Sequence, residues 1–335
     1  SETAQRIARF MSEQGGYISE DDLRAHQSEW VSPVSVNYRG YDIYELPPNG
    51  QGMAALQMFK LLQGFDLRSQ GAQSAESIHL MVEAKKLAFE DRARFYADPD
   101  FYPAPIEALL SDAYREARAA LISDKAASQV LAGDPVLQRS DTVYLTTADS
   151  AGNMVSLIQS IFHPFASGVV VPGTGFTLQN RGLLFSMDPV HPNVYAPNKR
   201  PFQTIIPAFI MRDGNPFMSF GVMGGDMQPQ GHVQVISNML DSDMELQAAG
   251  DAIRWRHDGS TQPTDNVGDS LFDGGELIME RGFPEDVVRE LEERGHRISY
   301  EDLGMGFGGY QAIMCDGEGG YLGASESRKD GCALG

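Results

Sequence analysis

Hydrophobic and polar residues follow two different spacings along this chain, and the spacing changes near residue 142. Before that point apolar residues recur every three or four positions, which predicts a helix over 53–62 and a longer one over about 74–96. One face of the longer helix carries Ile78, Met81, Val82 and Phe89. Its charged pairs, Lys85-Lys86 and Asp91-Arg92, are interpreted as a face in contact with solvent.

The first part of the chain also contains a short capped helix and a strand pair. Ser19-Glu20-Asp21-Asp22 is typical of a capping box, in which the serine hydroxyl and an acidic side chain satisfy free amides at a helix start. Alternation over 34–46, with a turn at Arg39-Gly40, predicts two antiparallel strands. A turn over 47–52 then leads into the first of the two helices described above.

From residue 142 onward the alternation becomes that of strands. The runs 142–148 and 154–160, joined by Asp149-Ser150-Ala151-Gly152-Asn153, predict a β-hairpin. Further strands are expected over 205–211, 217–222, 311–315 and 320–323, and helices near 233–238, 245–253 and 284–294. Because strands and helices are segregated along the chain, the pattern predicts an α+β fold rather than alternating βαβ units.

Composition and charge exclude several classes of protein. The chain has 335 residues, of which 42% are hydrophobic and 21% charged, and this fits a globular protein of one or two domains. Asp and Glu number 46 against 26 Lys and Arg, so the formal net charge is −20. Neither nucleic acid nor an anionic membrane surface is an expected partner of so acidic a chain, and no run of 18 apolar residues predicts a membrane span. The two cysteines, Cys315 and Cys332, form neither a disulfide framework nor a zinc motif.

The first residues indicate a fragment of a longer protein. The chain begins Ser1-Glu2-Thr3-Ala4, without a Met, and enters a helical pattern at once. No signal or transit peptide is readable in it, so the sequence assigns no compartment: cytoplasmic, periplasmic and secreted locations all stay open.

Familiar catalytic motifs are missing from the sequence. It has no phosphate-binding Walker loop, no His-Glu-x-x-His zinc motif and no Gly-x-Ser-x-Gly elbow, and its seven histidines stand singly, which argues against a histidine metal site. Residues 304–309 have the three-glycine spacing of a dinucleotide loop. That loop must open a helix, whereas 310–314 has the pattern of a strand, so we interpret 304–309 as a flexible glycine loop.

Two further features gain meaning only in combination. Gly224-Gly225 follows a predicted strand, where paired glycines can turn backbone N–H groups toward an oxyanion, although the dipeptide alone is typical of a tight turn. Asp141-Thr142 heads the hairpin, and on its own it indicates packing rather than catalysis.

Their order along the chain resembles the γ-glutamyltransferase family of N-terminal-nucleophile hydrolases. The resemblance is carried by Asp141-Thr142 through Gly152-Asn153, then Pro197-Asn198-Lys199-Arg200-Pro201, then Gly224-Gly225. Supporting matches are Tyr38-Arg39-Gly40-Tyr41, Pro47-Pro48, Asp91-Arg92, Asp98-Pro99-Asp100-Phe101, Gly282-Phe283-Pro284 and Gly323-Ala324-Ser325. Nearly the whole chain takes part, and roughly the first half of the family's large subunit is missing from it.

The resemblance implies a self-cleaving enzyme with a four-layer αββα sandwich. Residues 1–141 would be the end of the large subunit and 142–335 the small subunit, the two forming a heterodimer within one domain. Cleavage at Asp141–Thr142 would leave Thr142 with a nucleophilic hydroxyl and a free α-amine, whose ordinary pKa of roughly 8 suits a general base. Gly224 and Gly225 would hold the oxyanion and Ser160 would orient the nucleophile, with no cofactor and no metal.

The implied substrate is a small γ-glutamyl amide such as glutathione, and the acyl acceptor is water or an amine. Asn180, Arg181, Gln203 and Thr204 are the expected substrate-binding residues, and three of these positions depart from the family. Arg181 stands in place of the usual glutamine, an acidic residue is missing after it, and Gln203-Thr204 replaces a serine pair. Phe162 also occupies a position that is polar in many members.

These departures keep two alternatives open. An acylase of the same fold that removes glutaryl-like groups would need no acid for an α-amine, and it would use Arg181 for the carboxylate, unless Arg181 pairs with an acidic neighbour. An inactive member with a binding role is the other alternative.

Overall fold

The computed structural model describes residues 1–131, 141–302 and 306–335, and of Asp141 only the backbone. Its helices are α1 (Glu2–Glu13), α2 (Glu20–Ala25), α3 (Gly52–Leu62), α4 (Leu67–Gln70), α5 (Ala75–Phe95), α6 (Ile106–Leu109), α7 (Asp112–Ala119), α8 (Met227–Leu240), α9 (Leu246–Asp251) and α10 (Glu285–Glu293). Its strands are β1 (Val34–Tyr38), β2 (Tyr41–Glu45), β3 (Asp141–Ala148), β4 (Met154–Phe162), β5 (Ala208–Arg212), β6 (Asn215–Met223), β7 (Trp255–Asp258), β8 (Glu276–Glu280), β9 (Ile298–Glu301), β10 (Gly309–Cys315) and β11 (Tyr321–Ser325).

The central element is an antiparallel six-stranded sheet with the order β1-β2-β5-β6-β10-β11. The predicted strand pair β1–β2 forms its edge, and the turn at Arg39-Gly40 has the positive φ angles of 55° and 90° that such a tight connection requires. Strands from residues 34–45 and from the second half of the chain therefore share one sheet, and the α+β prediction is confirmed.

Helices cover one face of this sheet. Helix α3 packs against α5, α8 and the first two strands, and nearly all of its residues are buried. Helix α8 lies on β6 at a glycine, because a Cβ at Gly231 would come within 2.5 Å of the Val222 side chain. The helix begins at Met227, six residues before the predicted start, and Pro229 fits there because the first turn has no intrahelical use for its missing N–H.

The predicted hairpin β3–β4 lies on the other face of the sheet. Inward-pointing residues of β3 contact β6: the Tyr144 ring lies against Gly221, and the Thr146 hydroxyl bonds the Ser219 hydroxyl at 2.5 Å. The alternate residues point outward and are largely exposed, including Val143 and Leu145. A layer of helices, the sheet and this hairpin thus stack in that order.

A second, three-stranded sheet (β7-β8-β9) was missed by the sequence analysis. Strands β8 and β9 are parallel and connected through α10, so one βαβ unit does occur in this fold. The short strand Trp255–Asp258 shows no alternation of apolar and polar residues, because its last three residues are all ionisable. Two of them, His257 and Asp258, are nevertheless buried.

The prediction that the charged pairs of α5 face solvent was wrong. Lys85, Lys86, Asp91 and Arg92 are all buried. Each has polar partners inside the protein: the Lys86 ammonium pairs with Glu83 at 2.7 Å, and the Arg92 guanidinium pairs with Asp226 at 2.7 Å. Because α5 is covered on more than one side, its charged side chains lose their contact with water, and such partners offset the cost of burying them. Among the described helices, none is both long and apolar enough to cross a membrane.

Candidate active site

Thr142 and Ser160 face each other where the hairpin strands end. They are direct cross-strand partners, with a register irregularity between Asp141 and Thr142. The Thr142 hydroxyl donates to Ser160 Oγ at 3.2 Å, and Ser160 Oγ also accepts the N–H of Phe162 at 2.9 Å. Phe162 adopts a φ of 79°, which is unusual for a residue with a side chain. A short chain of hydrogen bonds thus fixes the direction of the Thr142 hydroxyl.

The stacking of β3 on β6 carries Thr142 toward the glycine pair. Thr146 contacts Ser219 and Tyr144 contacts Gly221. Two residues toward the start of β3 therefore correspond to two residues toward the end of β6. Two residues further, Thr142 and Met223 line the same cavity of about 350 Å³. Met223 is the last residue of β6, so the structure places Thr142 at the strand end from which Gly224-Gly225 continues.

Gly224 and Gly225 form the entry to helix α8. Their φ angles of 122° and 58° lie in the region that favours glycine. Within the described part of the chain neither amide donates to an acceptor, while both carbonyls accept from the first turn of the helix. Free N–H groups at the start of a 14-residue helix attract negative charge.

The glycine-rich segment 306–309 packs against the Gly224-Gly225 pair. Gly308 contributes its backbone to this contact, because a Cβ on Gly224 would come within 3.1 Å of the Gly308 Cα. Strand β10 begins at Gly309, so the loop leads into a strand, as predicted, and not into a nucleotide-binding helix. Gly304 and Met305 lie outside the described residues.

Arg181 is a buried cation that pairs with no acidic side chain among residues 1–131, 141–302 and 306–335. Its Nη1 donates to Thr204 Oγ1 at 3.2 Å and its guanidinium lies 5.2 Å from the centre of the Phe162 ring. Its Nη2 is buried and has no hydrogen-bond acceptor among the described residues, and none of their carboxylates forms an ion pair with the guanidinium. Burial lowers the pKa of Arg181 to about 10. The alternative that Arg181 pairs with an acidic neighbour therefore receives no support from the described chain.

A small cavity lies beside this cation. It measures about 140 Å³ and is lined by Phe162 and Thr204, the two residues that Arg181 contacts, and by Gly225. Asp226 and Asp265 also line it. Burial alone would raise the pKa of Asp226, but the Arg92 charge and its hydrogen bonds hold that pKa below the ordinary value. The cavity thus lies between Gly225 and the two residues that contact Arg181.

His163, which no sequence pattern indicated, lies next to this group. Its ring stacks on Phe162 at 4.1 Å. Asn180 fixes its tautomer: Asn180 Oδ1 accepts the backbone N–H of His163, so the Asn180 amide nitrogen donates to the ring nitrogen His163 Nδ1 at 2.7 Å. Nε2 then carries the hydrogen, and it is buried without a partner among the described residues. Burial and the Arg181 charge lower the pKa of His163, which favours this neutral form.

The four predicted substrate-binding residues therefore lie in different settings. Arg181 and Thr204 contact each other beside the cavity, whereas the Asn180 side chain is taken up by His163. The Gln203 side chain turns back on its own segment, before β5, and accepts the Ile205 N–H at 2.6 Å. Their roles toward a substrate stay predictions.

One histidine cluster has the residue types of a metal site. The ligand atoms of His79, Glu83 and His296 lie within 4.8 Å of one another in the buried interior. These atoms already have hydrogen-bond partners: His79 Nδ1 bonds His296 Nε2 at 2.8 Å, and Glu83 accepts from Lys86 and from the Ala127 N–H. The cluster therefore requires no ion to complete its hydrogen bonds.

Comparison with known proteins gives consistent matches over the whole chain. Residues 1–335 match the family described as gamma-glutamyltranspeptidase. The chain is 36% identical to the glutathione hydrolase-like YwrD proenzyme of Bacillus subtilis over 99% of its length, and 34% identical to the acylase ACY 1 proenzyme of Pseudomonas sp. strain SE83 over 97%. A crystal structure of cephalosporin acylase from Bacillus halodurans superposes with a TM-score of 0.86 at 42% identity, covering 98% of this chain and 57% of that one.

The matched relatives are longer than this sequence. The chain spans 61% of the YwrD proenzyme and 55% of the acylase. Similarity therefore reaches across the sequence in hand and covers little more than half of each relative.

Proposed function

The chain belongs to the gamma-glutamyltranspeptidase family, and from this premise we propose that it carries the nucleophile of a self-cleaving amide hydrolase. The acyl group of its substrate would end in a carboxylate held by Arg181. Two observations support the two parts of this proposal: the hydrogen-bonded Thr142 hydroxyl at the glycine-pair end of β6, and the buried Nη2 of Arg181 that has no acceptor among the described residues. The second observation favours a substrate whose acyl group carries a carboxylate.

Self-cleavage would start at the Thr142 hydroxyl. Its oxygen attacks the Asp141 carbonyl carbon, the C–N bond to Thr142 breaks, and the nitrogen takes a proton, which leaves an ester between the two residues. Water then hydrolyses this ester to an Asp141 carboxylate, the Thr142 hydroxyl and a free Thr142 α-amine. Ser160 Oγ, which accepts the hydroxyl hydrogen at 3.2 Å, keeps the nucleophile directed during these steps.

Turnover would use the same oxygen with a new base. The α-amine accepts the hydroxyl proton as Thr142 Oγ1 bonds to the substrate carbonyl carbon, and the carbonyl oxygen becomes an oxyanion. The amides of Gly224 and Gly225 donate to that oxyanion at the start of α8. The leaving amine takes the proton, an acyl ester remains on Thr142, and water or an acceptor amine releases it.

The acid-binding role follows from the cost of burying a charge. A guanidinium with an unused donor in a protein interior is stabilised when a carboxylate accepts from it, and the fork geometry suits both oxygens. Glutaryl-type amides provide such an acid without an α-amine. The similarity to an acylase proenzyme and to a cephalosporin acylase favours this class.

A second candidate is a γ-glutamyl amide, as in glutathione. It is favoured by the family and by Asp265, a carboxylate that lines the same cavity and suits an α-ammonium group. An inactive member with a binding role predicts neither cleavage nor turnover.

The first test is the intact mass of the full protein after incubation near neutral pH. Cleavage after Asp141 would separate the 194 residues from Thr142 to Gly335 from everything before them. Thr142→Ala should remain a single chain and release no product. Persistence of cleavage in Thr142→Ala would refute the nucleophile, and an uncut, inactive wild type would favour the inactive alternative.

The second test compares three anilides: glutaryl, γ-glutamyl and the uncharged pentanoyl analogue. We expect the acid-bearing anilides to be hydrolysed at lower KM than the pentanoyl one. Arg181→Met should raise KM for the acid-bearing substrates roughly 10- to 100-fold, as the loss of a charged hydrogen bond does, and leave the pentanoyl KM unchanged. Equal effects on all three would exclude a carboxylate site at Arg181, and a strong γ-glutamyl preference would exclude the glutaryl class.

A further inference from the structure

Gln51 makes an unusual set of contacts for a residue at a helix start. It precedes α3, yet its side chain makes no capping hydrogen bond and is fully buried. Its amide nitrogen instead donates to two backbone carbonyls far along the chain, Thr204 O at 2.8 Å and Gly225 O at 2.9 Å. One side-chain amide thus touches both the residue that contacts Arg181 and the glycine pair.

The orientation of this amide is fixed by its third partner. Gln51 Oε1 accepts from Arg92 Nη1 at 2.7 Å, and a guanidinium can only donate, so the nitrogen must point to the two carbonyls. Arg92 is itself held, because it pairs with Asp226 through both of its terminal nitrogens at 2.7 and 3.2 Å. Gln262 completes the arrangement by donating to Asp226 at 2.6 Å and accepting from Arg92 at 2.9 Å.

These hydrogen bonds hold two consecutive residues, Gly225 and Asp226, at the start of α8. Gln51 holds the Gly225 carbonyl, and Arg92 holds the carboxylate of the next residue, Asp226. A glycine pair has no side chains to restrict its backbone, so hydrogen bonds must supply the restraint that keeps its amides in one direction. Stabilisation of an oxyanion depends on such fixed donors, because donors that must reorient during the reaction lose much of their effect.

We propose that Gln51 is a positioning residue that holds the oxyanion-binding amides and the acid-binding Arg181–Thr204 pair in one fixed relation. The inference rests on the proposed function, in which Gly224 and Gly225 bind the oxyanion and Arg181 binds the acyl carboxylate. Gln51 touches no reacting atom. Its removal therefore leaves the reacting groups in place. It makes both the oxyanion-binding amides and the Arg181–Thr204 pair less rigidly positioned.

The test compares Gln51→Met with Gln57→Met, a matched change in another buried glutamine of the same region. Gln57 bonds Asp91 and Tyr96, and none of its side-chain hydrogen bonds among the described residues reaches Gly224 or Gly225. Processed enzyme is titrated through its acyl-enzyme burst, so that rates refer to active sites. We expect Gln51→Met to lower kcat roughly 10- to 100-fold on all three anilides. KM should rise for glutaryl anilide and stay constant for pentanoyl anilide, and Gln57→Met should change neither constant.

Gln51→Glu provides a second variant that keeps the Arg92 contact. The carboxylate can still accept from Arg92, but it turns an acceptor toward the carbonyls of Thr204 and Gly225, so the same losses are expected. Wild-type kcat and KM in either folded Gln51 variant would overturn the inference. A wild-type protein that releases no anilide at all would instead refute the proposed function, so the two failures are distinguishable.

Discussion

The ring of Tyr144 lies directly against the Cα of Gly221, so close that a Cβ at position 221 would come within 2.5 Å of it. This contact sets the distance between β3, which carries Thr142, and β6, which ends at the glycine pair. The separation of the two strands therefore depends on the absence of one methyl group.

Gly221→Ala should force β3 away from the sheet. We expect a loss of roughly 1–3 kcal/mol in the free energy of unfolding, the range for overpacked cores, and slower cleavage at Asp141–Thr142. Denaturant unfolding and intact mass over time measure the two effects. In a Tyr144→Ala background the added methyl has room, so the penalty of Gly221→Ala should shrink there. An equal penalty in both backgrounds would show that Tyr144 is not the cause.

Ser160→Ala removes the hydroxyl that accepts from Thr142 and from the Phe162 N–H. If Ser160 orients the nucleophile, cleavage and anilide turnover should both slow, roughly 10-fold or more, because the Thr142 hydroxyl loses its fixed direction. Ser160→Thr keeps a hydroxyl at the same position and should retain most of the rate. Processing time courses for the three proteins provide the measurement, and equal loss in both variants would indicate a packing effect.

Local pattern predicted the elements whose residues alternate cleanly. The hairpin β3–β4 and the pair β1–β2 were found because one of their faces is buried and the other is exposed. The sheet β7-β8-β9 was missed because buried charged residues conceal the alternation. For the same reason the charged residues of α5 were assigned to solvent: the partner of Arg92, Asp226, is 134 positions away in the sequence.

In the candidate site, the sequence predicted only residues that belong to motifs in a recognisable order along the chain. The order of Asp141-Thr142 and Gly224-Gly225 predicted the residues that the structure places at one end of β3 and β6. Gln51 and His163 carry no such signal. Gln51 acts on a carbonyl 174 positions away, and His163 becomes notable only through its stack on Phe162 and its buried nitrogen. Contacts of that kind are set by tertiary structure.

A buried group of four charges ties the end of the chain to the second sheet. Arg328 bonds Glu280 through Nε at 2.6 Å and Nη2 at 2.5 Å, and it also contacts Glu326, which pairs with Arg254. Arg328→Met would leave Glu280 without its bidentate partner. We expect a loss of about 3–5 kcal/mol in the free energy of unfolding.

Arg281, which follows Glu280 in the sequence, provides the control for Arg328→Met. Arg281 forms an exposed pair with Asp302, so Arg281→Met should alter stability by less than about 1 kcal/mol. The deficit of Arg328→Met should also shrink when the pH is lowered to 5, because an unpaired buried carboxyl takes up a proton more readily. Equal stability of the two variants at pH 7 would contradict the prediction.

His296 should make the protein sensitive to mild acid. His79 donates through Nε2 to the Ser123 carbonyl at 2.7 Å, so its Nδ1 accepts the hydrogen on His296 Nε2. Burial, with a smaller contribution from the Lys86 charge, lowers the pKa of His296 to about 3. Between that value and about 6.5, the ordinary pKa of histidine, the unfolded chain binds a proton that the folded protein excludes. Its contribution to stability is therefore complete above pH 6.5 and declines as the pH falls.

His296→Gln keeps a donor toward His79 and removes the titrating ring. The free energy of unfolding of the wild type, relative to this variant, should fall by roughly 1 kcal/mol for each pH unit between about pH 6 and 4. Urea unfolding at several pH values measures the difference directly, and other titrating groups cancel in the comparison. His26→Gln, a change at an exposed position after α2, should give a curve parallel to the wild type. A parallel curve for His296→Gln as well would mean that His296 binds its proton equally in the folded and unfolded chain, which its buried bond to His79 opposes.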